Sequence, residues 1–176
     1  MKFARTVADL QAALDPERQR GGRIGLVPTM GALHAGHLSL FSAAREGCDL
    51  VVVSLFVNPT QCGPDDDLDG YPRDLDGAAA AAAAEGVDVL FVPSVTEMYP
   101  GSPATTVHVD GVTGGLCGGS RPTHFDGVAT VVTKLFSIIG PCRAYFGRKD
   151  AQQLAVIRRL AVDLDLRAAV LAVEDL

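Results

Sequence analysis

Apolar positions along the chain alternate between short continuous runs and stripes at helical spacing. Leu50 to Val57 is an almost unbroken β-branched and apolar run, as a strand reads when both faces are covered, and it predicts the central parallel strand. Arg23 to Val27, Val87 to Val92, Arg143 to Phe146 and Ala168 to Val173 predict further strands. Between them, the capping-box form Thr6 to Asp9 leads into Leu10, Ala13 and Leu14 and predicts a helix ending near Leu14. Leu38, Phe41 and Ala44 predict a helix ending near Gly47. Val128, Val131, Val132, Leu135 and Ile139 mark the buried stripe of a helix from Gly127 to Ile139. Leu154, Ile157, Leu160 and Ala161 mark another from Asp150 to about Leu164, with Arg158 and Arg159 facing outward. The alanine run Ala78 to Ala84 reads as helix because alanine is the best helix former. Asp65 to Gly70 is an acidic loop, and Pro93 to Gly119 is a Gly, Pro and Thr rich excursion with room for short strands such as Thr106 to Val109. Strands alternating with helices imply an α/β fold, a doubly wound parallel sheet whose strands deliver their carboxyl ends to one site.

Composition narrows the function. The 176 residues suffice for one domain with a substantial core, and none of the apolar runs approaches the length of a bilayer span. A formal charge of −6 argues against a broad nucleic-acid or membrane surface, so phosphate binding has to be local and the ligand a nucleotide rather than a polymer. Asp9, Glu17 and several arginines leave no apolar signal segment near the start, and Cys48, Cys62, Cys117 and Cys142 have no C-x-x-C spacing. Both observations point to a cytoplasmic protein with reduced thiols.

The chemistry gathers in Pro28-Thr29-Met30-Gly31-Ala32-Leu33-His34-Ala35-Gly36-His37, a stretch that leaves a strand and opens a helix. Free N–H groups and the helix dipole favour an anion at such a turn. His34 and His37 are three residues apart and can reach one ligand, with Gly36 between them keeping the approach open. Three other loops arrive at the same edge: Asn58 to Gln61, Arg121 to Phe125 and Gly147 to Gln153. Lys149 is placed to reach phosphates, Asp150 to cap its helix or meet a ribose hydroxyl, and Gln61 and Gln153 to bond a small polar substrate. His124 reads as a structural hydrogen-bonding histidine.

Taken together, Val27 to His37, Phe56-Val57-Asn58-Pro59-Thr60-Gln61, Tyr71-Pro72-Arg73, Met98-Tyr99-Pro100, Arg121-Pro122-Thr123-His124-Phe125 and Phe146 to Gln153 resemble the pantothenate synthetase family of the HxGH nucleotidylyltransferases. The resemblance implies a Rossmann-like fold and a homodimer. It also implies a two-step ligation: pantoate attacks the α-phosphate of Mg-ATP, releasing pyrophosphate, and β-alanine then displaces AMP from pantoyl adenylate. Carried over by position, Met30, Gly31, Ala32, Leu33, His34, Ala35, Gly36, His37, Gly147, Arg148, Lys149 and Asp150 would contact ATP. His34, His37 and Lys149 would be catalytic, Gln61 and Gln153 would hold pantoate, and Gln61 would also place β-alanine. The chain departs from the family at Arg148, Ala151 and Cys117 and at Gly77 with its alanine run, where acidic residues associated with Mg2+ are usual, so the metal ligands stay unassigned. The family continues into a Ser-Ser-Arg-Asn loop and a smaller lid domain; residues 1–176 are therefore expected to form the nucleotide-binding catalytic domain without that lid. A nucleotide or pantoate binder without turnover and another HxGH nucleotidylyltransferase are the alternatives.

Overall fold

The computed structural model describes residues 1–62, 74–111 and 124–174. In chain order the elements are β1 (Lys2–Ala4), α1 (Val7–Gln19), β2 (Ile24–Thr29), α2 (Ala35–Gly47) and β3 (Leu50–Leu55). A 3-10 turn (Pro59–Gln61), α3 (Leu75–Ala84), β4 (Val89–Phe91), α4 (Val95–Met98), α5 (His124–Ile139), β5 (Cys142–Gly147), α6 (Ala151–Asp163) and β6 (Ala168–Val173) follow. The strands form one parallel sheet in the order β1-β4-β3-β2-β5-β6.

Strand alternation sorts the core into two layers. Leu26, Val52, Val89 and Phe91 pack on one face with Leu10 and Leu14 of α1, the stripe of α5, and Leu154, Ile157 and Leu160 of α6. Val27, Val51, Val53 and Leu90 face the other way, onto Leu40, Phe41 and Ala44 of α2 and Ala82 of α3. Helices therefore cover both faces, which is why β3 carries no polar alternation.

The sheet winds outward in one direction through β3 and β4 and in the other through β5 and β6, so β2 and β5 flank the switch point. Their pairing covers only Gly25 with Arg143 and Leu26 with Ala144, whereas β2 pairs with β3 along its whole length to Thr29. Beyond Leu26 the two strands part. An opening at this place in an open α/β sheet is where ligands bind.

Several expected boundaries move. β1 and α4 were not expected, and α1 continues past Leu14 through Pro16 to Gln19. Its last turn is held from outside, by Arg18 donating to the Ile138 and Ile139 carbonyls. β2 runs on through Pro28 because that residue lies where only the β3 side is paired. β3 stops at Leu55, β4 is shorter than Val87 to Val92, and α5 starts earlier, taking His124 and Phe125 into its first turn. Thr106 to Val109 is not a strand: Val107 N–H donates to Thr130 Oγ1 at 2.9 Å and Val109 is buried, so the segment packs on α5 instead of joining the sheet. The acidic loop Asp65 to Gly70, Tyr71-Pro72-Arg73, Cys117 and Arg121-Pro122-Thr123 lie outside the described residues.

Candidate active site

The gap between β2 and β5 opens into a cavity of about 410 Å³. Pro28 and Thr29 from β2, Tyr145, Phe146 and Gly147 from β5, and Val128, Val131, Val132 and Leu135 from α5 form its walls. Polar groups reach it from His34, His37, Asn58, Gln61, Asp150 and Gln153, beside Thr29, Ser54 and Tyr145 of the strands. Residues from three separate loops thus meet in one space with an apolar floor, the composition of a small-molecule site.

The histidines are held by the start of α2. His34 is the N-cap residue, and its Nδ1 accepts from Gly36 N–H at 3.1 Å, while His37 Nδ1 faces His34 N–H at 3.4 Å. This is a capping box built from two imidazoles instead of a hydroxyl and a carboxylate. The rings lie 4.2 Å apart between centroids, tilted by 56°. Both Nδ1 atoms act as acceptors, which leaves Nε2 as the N–H position of each ring, at the positive end of α2. Met30, Gly31 and Ala32 line the same wall, and Gly31 (φ 104) and Ala32 (φ 50) carry the sharp turn between strand and helix.

The opposite polar wall is an amide cluster. Asn58, 1% exposed, donates through Nδ2 to Gln61 Oε1 at 3.0 Å and to the Gly127 carbonyl at 3.1 Å. Its Oδ1 accepts from the hydroxyls of Tyr99 and Thr60, each at 2.9 Å. His124 donates from Nδ1 to the Gln61 carbonyl at 2.8 Å, which is the structural role read for it in the sequence. Burial pushes the Tyr99 hydroxyl pKa up, so it stays a donor.

Of the twelve residues expected to contact nucleotide, Met30, Gly31, Ala32, His34, His37, Gly147 and Asp150 line the cavity, and Gln61 and Gln153 join them. Leu33, Ala35, Gly36, Arg148 and Lys149 do not. Leu33 packs on the core below α2, Ala35 faces solvent, and Gly36 contributes its N–H to the His34 ring. Arg148 is turned to the end of β6 by an ion pair with Glu174, and Lys149 is exposed beside the mouth. Asp150 takes the N-cap position of α6 without a side-chain capping bond, so the expected cap is not made, and the residue lines the cavity. Asn58 and Tyr99 were not singled out as site residues; both sit inside quoted motifs, and their burial is what marks them. Among the described residues no group of three or more His, Cys, Asp or Glu could hold a metal ion.

Pantothenate synthetase of Acetivibrio thermocellus is 54% identical over 171 residues, taking in 97% of this chain and 61% of its own length. The crystal structure of pantothenate synthetase from Thermus thermophilus superposes with a TM-score of 0.92 at 50% identity, covering 99% of this chain and 62% of that one. A pantoate-beta-alanine ligase from Francisella tularensis, solved with beta-gamma ATP and beta-alanine, superposes at 0.94 with 37% identity over 99% of this chain and 67% of its own. The chain spans about three-fifths of the length of the curated relatives it matches. The family model described as pantoate-beta-alanine ligase matches residues 2–175, and the chain belongs to that family.

Proposed function

We propose that residues 1–176 form the catalytic domain of an AMP-forming ligase that condenses pantoate with β-alanine to pantothenate. The observation that carries this reading is the meeting of His34 and His37 with Gln61 and Gln153 in one cavity: phosphate-directed donors face amides suited to a small hydroxy acid. ATP enters as its magnesium complex.

Gln61 and Gln153 hold pantoate, its apolar body against Val131, Val132 and Leu135 of α5. A pantoate carboxylate oxygen attacks the α-phosphorus, and the bond from that phosphorus to the bridging oxygen of pyrophosphate breaks. The Nε2–H groups of His34 and His37 stabilise the charge on the non-bridging oxygens, in the manner of preorganised donors. Lys149 follows the phosphates from the rim, since Gly147 and Asp150 on either side of its loop both line the cavity. Asp150, freed from capping, accepts from a ribose hydroxyl. In the second step the β-alanine amine, placed by Gln61, attacks the acyl carbon and AMP leaves. A homodimer and a cytoplasmic setting belong to the same reading.

The test is AMP release from ATP by the purified chain, with pantoate and β-alanine each present or omitted. AMP together with pantothenate only when both are present supports the reading; AMP with pantoate alone supports the adenylation step. No AMP and no pantoate-dependent exchange of pyrophosphate into ATP would overturn it. His37→Ala or Lys149→Ala is expected to lower turnover by about 10²–10³, the scale of one lost charge-stabilising donor.

A further inference from the structure

The Asn58 amide can sit only one way round. Its Oδ1 faces three donors, the Thr60 N–H at 3.3 Å and the hydroxyls of Thr60 and Tyr99 at 2.9 Å. Its Nδ2 faces two acceptors, the Gly127 carbonyl and Gln61 Oε1. A backbone N–H cannot accept and a carbonyl cannot donate, so reversing the amide would break the set. This orientation passes on to Gln61. With Oε1 engaged as an acceptor and one Nε2 N–H donating to Met30 Sδ at 2.6 Å, Gln61 has its second Nε2 N–H to offer to the cavity it lines.

Tyr99 stands at the far end of this relay. It follows α4, is 7% exposed and does not line the cavity. Its ring is fixed independently of its hydroxyl, by Phe56 at 6.1 Å between centroids and by Lys134 Nζ 5.6 Å above it. We propose that Tyr99 is a positioning residue for the acid substrate: its hydroxyl pins Asn58, Asn58 turns the Gln61 amide, and Gln61 thereby presents an N–H donor to a carboxylate or hydroxyl oxygen. The proposal rests on the reading of Gln61 as a pantoate ligand. It explains why a phenol is placed where a phenylalanine would fill the same space.

Four proteins test it: the parent chain, Tyr99→Phe, Gln61→Ala and the double variant, each followed by chemical-shift titration with pantoate and, separately, with ATP. Such titrations follow affinities into the millimolar range. Tyr99→Phe keeps the ring and is expected to weaken pantoate about 5- to 10-fold, the scale of one buried hydrogen bond, with ATP affinity unchanged. In the Gln61→Ala background the same substitution should change pantoate affinity by less than about two-fold, because no amide is left to orient. Equal losses in both backgrounds would make Tyr99 a general stabiliser and overturn the proposal. So would a Tyr99→Phe protein that binds pantoate like the parent. A parent that does not bind pantoate, or a Gln61→Ala protein that binds it normally, would instead remove the reading of the site and this proposal with it.

Discussion

Gly127 offers the sharpest test of how the site is assembled. It lies in the first turns of α5 against the 3-10 turn that carries Gln61, and a Cβ there would stand 2.5 Å from the Gln61 nitrogen and no farther from the Thr60 carbonyl oxygen. Both are backbone atoms, so neither can swing aside as a side-chain tip can. In Gly127→Ala the turn has to retreat by about 1 Å to regain ordinary contact. Two effects on stability oppose each other: alanine is favoured over glycine in a helix by about 1 kcal/mol, while overpacking costs about 1–3 kcal/mol. The net is a loss of about 1 kcal/mol, or a fall in Tm of about 2–4 °C for a chain of this size. The effect on the site is larger, because the retreat carries Gln61 with it and stretches the bond from Asn58 to the Gly127 carbonyl. A displacement of about 1 Å can cost up to about 10²-fold, so pantoate affinity should fall at least about 10-fold, well beyond what the stability loss alone suggests. The assay is calorimetric titration with pantoate beside a thermal melt, with Ser137→Ala on the exposed side of α5 as control. A Gly127→Ala protein that melts higher and binds pantoate as tightly as the parent would refute the argument.

Three further outcomes are expected. His108 bridges Asp126 at 2.7 Å and Asp110 at 3.1 Å, and these hydrogen bonds, Asp126 first, hold its pKa above the ordinary 6.5. A raised folded-state pKa stabilises fully below pH 6.5 and the gain is lost as pH rises through the folded value, so Tm should fall more between about pH 6.5 and 8 in the parent than in His108→Asn; parallel curves would sink the idea. Burial pushes the Cys142 thiol up to about 12, and Cys48 is buried too, so iodoacetamide at about pH 8 should modify half-buried Cys62 ahead of both, as read by mass spectrometry; earlier labelling of Cys142 would contradict this. Ala32 holds a left-handed φ of 50°, a cost of about 1–2 kcal/mol for an L residue, against which glycine's freedom in the unfolded chain returns about 0.4–1 kcal/mol. Ala32→Gly should therefore raise stability to urea by up to about 1 kcal/mol, and a clear loss would show that the Ala32 methyl group makes compensating contacts.

The elements that carry strong local patterns were legible in the sequence. The run at Leu50, the stripe from Val128 to Ile139 and the alanine helix each have a composition that satisfies only one kind of element. Lys2–Ala4 was not legible, because three residues have no period and this strand exists through its pairing with β4. Thr106 to Val109 alternates as a strand should, yet alternation states only that one side is buried. Here the burying surface is α5, and Thr130 supplies the hydrogen bond that a neighbouring strand would have given.

The same distinction separates the two walls of the site. His34 and His37 were readable because their geometry is local: a capping box closes within four residues, so the spacing alone places both rings at the helix start. Asn58 to Gln61 reads only as a polar turn, since its chemistry is set by Tyr99 and Gly127, 41 and 69 residues further along the chain. Neither partner has a local signature. Tyr99 follows a short helix and Gly127 sits inside a long one, where glycine ordinarily weakens the element. Its value there lies in the side chain it lacks, which lets a helix backbone touch the turn and accept the Asn58 amide. The donor that Gln61 presents to the cavity is thus a property of the folded chain, and it is established by three contacts that must all form before the amide has a direction.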